Sequence, residues 1–88
     1  MKVEYRKRFL KELAALPSGV RQQIERFAFE ELPEVASLAE TGRAERMTGF
    51  PGYYKVRFGS YRIGIWLADD TAVLERALHR RDIYRYFP

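Results

Sequence analysis

Lys55, Arg57 and Arg62 stand at alternate positions around a Gly59-Ser60 pair, with Tyr53 and Trp66 at the outer ends of the same stretch. In an extended chain, neighbouring side chains point to opposite faces. Tyr53, Lys55 and Arg57 therefore share one face of a strand over residues 53–58, and Tyr54, Val56 and Phe58 share the other. In a strand over residues 61–67, Arg62, Gly64 and Trp66 oppose Tyr61, Ile63, Ile65 and Leu67. If Gly59-Ser60 is a two-residue hairpin turn, Arg57 faces Arg62, Lys55 faces Gly64 and Tyr53 faces Trp66. Directly opposed side chains have Cβ atoms only about 4.5–5.5 Å apart, a spacing at which like charges destabilise a sheet. A polyanion reverses that sign, because a phosphate between two guanidinium groups takes charge-assisted hydrogen bonds from both. Exposed rings beside such cations can stack unpaired bases. This spacing suits the gripping of a nucleic-acid strand.

Three of these residues also have a plainer reading. Gly64 in a strand marks either a close approach, here a trough beside Lys55 for a ligand, or a β-bulge. A Tyr53–Trp66 pair is a base-stacking platform or simply a good cross-strand contact.

The net charge of +4 is unevenly placed. Residues 1–45 carry eight Lys/Arg and eight Asp/Glu, whereas residues 46–88 carry eight Lys/Arg and four Asp/Glu. A basic half on a neutral half is the footprint of an anion-binding surface, with uneven solubility charge as the alternative.

The elements that must position these groups follow from periodicity. Residues 2–5 (KVEY) alternate and suit a short first strand. From Arg6 the period turns helical, with Phe9, Leu13 and Leu16 on one face, up to Pro17. Ser18 can cap a second helix whose stripe is Val20, Ile24, Phe27 and Ala28, running to about Leu32 before Pro33 stops it. Residues 33–50 read as a loop with a short strand near Arg46–Thr48. Three strands then follow, joined at Gly59-Ser60 and Asp69-Asp70, as an antiparallel meander. The aromatic tail DIYRYFP has room for one helical turn at most. The expected fold is α+β: an N-terminal strand, a two-helix hairpin and a meander in one twisted sheet.

A chain of 88 residues makes one domain, residues 1–88, and its 47% hydrophobic content suffices for a core without disulfides, since it has no cysteine. No apolar run approaches the roughly 20 residues of a membrane span, and MKVEYRKRF has charges where a signal peptide is apolar. A soluble, cytoplasmic protein is expected. One histidine and no acidic cluster make a metal site or other cofactor unexpected.

The stretch GYYKVRFGSYRIGIW, followed after one more strand by HRRDIYR, resembles the signature of the RelE/ParE superfamily of bacterial toxins from toxin–antitoxin pairs. The order of elements matches too, over nearly the whole chain. RelE-type members are ribosome-dependent endoribonucleases that cut messenger RNA in the ribosomal A site, and ParE-type members inhibit DNA gyrase. The nuclease branch has two basic residues before the hairpin turn, an Arg just after it, an Arg after the final strand and a Tyr near the C-terminus. Lys55, Arg57, Arg62, Arg80 and Tyr84 occupy those places, so the resemblance favours a metal-independent messenger-RNA endoribonuclease. A gyrase inhibitor without nuclease activity is the alternative. Arg81 can take the place given to Arg80.

Cleavage by the RNA's own 2′-hydroxyl needs a base for its proton, an acid for the departing 5′-oxygen and cations for the charge growing on phosphate. The resemblance implies Lys55 or Tyr84 as base, Arg80 as acid or charge stabiliser, and Arg57 and Arg62 as phosphate clamps. Amines and phenols ordinarily titrate far above neutrality, so either base must be tuned by neighbouring cations. Tyr53, Trp66, His79 and Arg81 are assigned to RNA contact, with the lone His79 expected to orient Arg80 or close the strand rather than move protons. The resemblance also implies a cognate antitoxin with an acidic, partly disordered segment that covers the basic surface.

Overall fold

The computed structural model describes residues 1–88. Strand β1 (Lys2–Tyr5) leads into α1 (Lys7–Ala14) and α2 (Ser18–Glu25). After a π-helical segment and two short 3-10 turns, Leu32–Glu34 and Leu38–Thr41, in the stretch expected to be loop, come β2 (Ala44–Arg46), β3 (Tyr53–Phe58), β4 (Tyr61–Ala68), β5 (Thr71–His79) and α3 (Arg80–Tyr86). The strands form one sheet in the order β1-β5-β4-β3-β2. Only β1–β5 is parallel; the meander from β2 to β5 is antiparallel throughout. This is the α+β arrangement that the periodicity predicts.

Helices α1 and α2 cover one face. Phe9, Leu13, Ile24, Phe27, Ala28 and Leu32 pack there on Val56, Phe58, Ile63, Ile65, Leu74 and Ala77. Each large side chain fully buried in this way contributes about 1.5–3 kcal/mol. Helix α3 takes the other face, where Ile83 and Phe87 close on Met47, Tyr53 and Leu78. The Gly59-Ser60 turn has φ +59° at Gly59, the left-handed geometry that a two-residue hairpin asks of its first position. It sets the predicted β3–β4 register: Arg57 opposite Arg62, Lys55 opposite Gly64, Tyr53 opposite Trp66.

Several expectations need correction. Ser18 makes no capping hydrogen bond; Pro17 occupies the N-cap of α2, and its carbonyl accepts the Arg21 N–H. The second helix does not run uniformly to Leu32, for it widens into a π-helical segment, Arg26–Glu31, closed by the Leu32 N–H on the Phe27 carbonyl. There the Tyr5 hydroxyl donates to the Ala28 carbonyl at 2.6 Å, and burial pushes the Tyr5 phenol pKa upward. The short strand expected at Arg46–Thr48 lies two residues earlier, at Ala44–Arg46. The tail is a seven-residue helix rather than a single turn.

Gly64 combines both of its readings in a form neither anticipated. A bulge interrupts β4–β5 beside it: Gly64 pairs Arg76 and Ile65 pairs Leu74, leaving Glu75 as the extra residue. The bulge reverses the parity of β5, so that Ala77 and Leu74 both reach the α1–α2 core. The expected trough over Gly64 does not exist. The ring of Phe87 fills it, within 2.7 Å of where a Cβ would stand.

Candidate active site

Glu45 from β2, Lys55 and Arg57 from β3, Arg62 from β4, and Arg80 and Tyr84 from α3 line one cleft of about 250 Å³. Strand alternation supplies the sheet side of this set. The α3 side depends on how that helix is anchored. The Arg80 N–H donates to the Ser60 carbonyl at 2.7 Å, which ties the first turn of α3 to the β3–β4 hairpin. His79 caps the helix, its Nδ1 accepting the Arg81 N–H at 3.1 Å. Ile83 and Phe87 bury the inner face, and Arg80 and Tyr84, one helical turn apart, come to share the cleft face.

Four cationic side chains share the cleft with a single carboxylate. Lys55 Nζ lies 3.7 Å from Glu45 Oε2 and 4.3 Å from the centre of the Tyr84 ring. Arg57, Arg62 and Arg80 have no carboxylate within 4.0 Å. The Arg62 guanidinium folds back on the turn, its Nη1 donating to the carbonyls of Gly59 at 2.8 Å and Tyr61 at 2.9 Å. Burial, then Arg57, then Arg80 lower its pKa, with Glu45 opposing them. An anion entering between these guanidinium groups would relieve that repulsion. Arg43 supports the same corner from behind, its Nη2 donating to the Arg57 carbonyl at 2.9 Å while its guanidinium lies 4.0 Å from the Phe58 ring centre.

The five residues assigned to chemistry thus come together, and Arg80 rather than Arg81 enters the cleft; Arg81 is exposed elsewhere on α3. Tyr53 and Trp66 do not line it. They stack on each other, half-buried, with centres 6.4 Å apart and planes at 19°, and Phe87 meets Tyr53 edge-on. His79 is engaged as a helix cap and packs edge-on against Tyr61 at 5.3 Å, outside the cleft. Glu45 was not singled out from the sequence, because its place opposite Lys55 exists only once the three-residue β2 is paired with β3.

Residues 3–84 match a family described as the ParE toxin of type II toxin-antitoxin system, parDE. The chain is 39% identical, over 89 residues and the full length of both proteins, to toxin RelE3 of Methanocaldococcus jannaschii. Among solved structures it is similar to the RelB-RelE antitoxin-toxin complex from Methanococcus jannaschii, with 36% identity, a TM-score of 0.81, and 97% of this chain and 99% of the other covered. It also resembles the intact E. coli RelBE toxin-antitoxin complex at 25% identity and a TM-score of 0.64, covering 89% of this chain and 94% of the other.

Proposed function

Because the chain belongs to the ParE toxin family of type II toxin–antitoxin systems, on its RelE-like branch, we propose that it is a metal-independent endoribonuclease that cuts messenger RNA on the ribosome. The observation that carries this reading is the convergence of Lys55, Arg57, Arg62 and Arg80, three of them without a carboxylate partner, on one cleft that also holds Tyr84 and Glu45.

In this reading Arg57 and Arg62 bracket the scissile phosphate and stabilise the charge that grows on its oxygens. The 2′-oxygen attacks the phosphorus as its proton leaves to a base in the Lys55–Tyr84–Glu45 group. The bond to the 5′-oxygen breaks, and Arg80 supplies the compensating charge or proton. The products are a 2′,3′-cyclic phosphate and a free 5′-hydroxyl. Glu45, with Oε2 3.7 Å from Lys55 Nζ, accepts the 2′-hydroxyl proton directly or relays one from Lys55. The cleft is open, and the ribosome supplies what it does not, an RNA strand held in line for attack.

A cognate antitoxin with an acidic segment would cover this surface and silence it. No helix is long and apolar enough to cross a membrane, and action on translating ribosomes would place the protein in the cytoplasm. The ParE description of the family favours a second reading, a gyrase inhibitor, which predicts DNA-damage signalling and intact messenger RNA. Mapping 5′ ends of cellular messenger RNA after induction separates the two. Cuts in phase with codons, lost with Arg62→Ala or Arg80→Ala in folded protein, support the nuclease; growth inhibition retained by both variants refutes the site. Each of these losses should be about 100-fold or more.

A further inference from the structure

We propose that the end of β2 and the loop that follows it, Arg46–Pro51, form a base-binding pocket that holds a nucleotide flanking the cut. This rests on the nuclease reading of the neighbouring cleft. Arg46, Met47, Thr48, Gly49, Phe50 and Pro51 line an open cavity of about 410 Å³, larger than the cleft and inside the roughly 300–1,000 Å³ range of small-ligand sites. Its chemistry fits one unpaired nucleotide. The Phe50 ring is 51% exposed and supplies a stacking surface, Thr48 supplies a hydroxyl, and Arg46 supplies a cation for the phosphate. Met47, 6% exposed, forms the floor and belongs to the same apolar cluster as Phe87 and Ile83 of the α3 face.

The loop backbone that carries Phe50 is well tied. The Phe50 N–H donates to the Met47 carbonyl and the Tyr53 N–H to the Phe50 carbonyl, both at 3.1 Å, so Phe50 sits where two successive turns join. Gly49 and Gly52, at φ +84° and +85°, adopt the left-handed conformations these turns require. The Leu67 N–H donates to the Gly52 carbonyl at 2.8 Å and moors the loop to β4. A half-exposed aromatic ring on a hydrogen-bonded loop offers a stacking partner without the entropic cost of ordering the backbone.

The loop also continues the cleft. Glu45 and Met47 are alternate residues, Glu45 lining the cleft and Met47 the loop cavity, and Met47 packs with Tyr53 on the α3 face of the sheet. On β3, Lys55 and Tyr53 are alternate residues on the cleft face, and the loop joins that strand directly before Tyr53. Tyr53, which stacks on Trp66, follows the loop in the chain and stands two residues before Lys55 of the cleft. A single strand with its phosphate in the cleft passes this pair and reaches Phe50 with the next accessible base. The aromatic pair is then the wall of the path rather than its end.

The test uses full-length protein acting on messenger RNA programmed on purified ribosomes, with a single abasic nucleotide moved stepwise along either side of the cut. In the wild type one flanking abasic position should slow cutting about tenfold, the worth of one stacked base. Phe50→Ala should slow cutting of intact RNA by a similar factor and make that abasic position indifferent, and Phe50→Trp should restore both. Cutting by Phe50→Ala at the wild-type rate, with an unchanged abasic profile, overturns the pocket and leaves the nuclease standing. Unchanged cutting with weakened antitoxin affinity assigns the loop to a protein partner and also overturns it. Absence of cutting by the wild type on any RNA overturns the nuclease reading and this one with it.

Discussion

The ring of Phe87 occupies the space above Gly64, its Cδ2 within 2.7 Å of where a Cβ would stand. One residue on the central strand β4 therefore sets how close α3 comes to the sheet, and through α3 where Arg80 and Tyr84 enter the cleft. Phe87 is only 3% exposed and its cluster is small, so the ring has nowhere to retreat. Gly64→Ala should cost about 1–3 kcal/mol through overpacking. Its toxicity should fall further than its stability, because the cleft loses one wall. Phe87→Ala should cost roughly 3 kcal/mol by cavity formation. Urea denaturation of the double variant is decisive: with the ring gone, the added methyl should cost almost nothing, and full additivity of the two losses would sink the relationship.

Arg57 and Arg62 face each other across β3–β4, and neither has a carboxylate within 4.0 Å. Opposed like charges cost a sheet on the order of 0.2–1 kcal/mol. Arg57→Thr removes that repulsion and substitutes a good strand former. The hydrogen bond from Arg43 is to the Arg57 carbonyl and survives the change. The expected result is a non-toxic protein whose Tm is raised by about 2–5 °C. A lowered Tm, or undiminished growth inhibition, would show that the pair is not held together for an anion.

Glu45 is the one carboxylate in the cleft, and its 69% side-chain exposure means that its contact with Lys55 adds little stability. Glu45→Gln should leave stability within about 0.5 kcal/mol. RNA binding should hold or tighten, since a negative charge leaves a cationic cleft. Single-turnover cutting should nonetheless slow by about 100-fold if the carboxylate takes or relays the 2′-hydroxyl proton. An unchanged rate would leave the proton to Lys55 or Tyr84 alone.

What was legible in the sequence followed from short-range rules. The Gly59-Ser60 turn and strict alternation on both sides of it place Lys55, Arg57, Arg62, Tyr53 and Trp66 in register residue by residue. Three features depend on tertiary contacts and carry no local signal. Helix α3 exists because His79 caps it and Phe87 seats on Gly64, while Tyr84, Arg85 and Tyr86 are exposed and make no apolar stripe. The parity of β5 reverses at Glu75, so TAVLERALH has no single buried face to read. Glu45 acquires its role from a three-residue strand, too short for any periodicity to show.

The edge of β5 yields the last prediction. Strand β1 pairs only with Thr71–Leu74, so beyond Leu74 the outer edge of β5 has no neighbouring strand. Glu12 of α1 takes its place: Oε1 accepts the Ala77 N–H at 3.0 Å. The same carboxylate is gripped in fork fashion by Arg76, Nη2 to Oε2 at 2.7 Å and Nε to both oxygens at 3.1–3.2 Å, while Arg76 Nη1 donates to the Tyr86 carbonyl at 3.0 Å. With side-chain exposures of 21% for Glu12 and 15% for Arg76, this pair is largely desolvated and joins α1, β5 and α3. Removing one partner leaves the other charge stranded, so Arg76→Ala should cost roughly 3 kcal/mol. Arg76→Lys should recover little of it, because an ammonium cannot reach two carboxylate oxygens and the Tyr86 carbonyl in one plane. Glu12→Gln keeps an acceptor for Ala77 and should fall between wild type and Arg76→Ala. Equilibrium unfolding in urea ranks the three variants, and a lysine as stable as the native arginine would mean that charge alone, not the fork, holds these elements together.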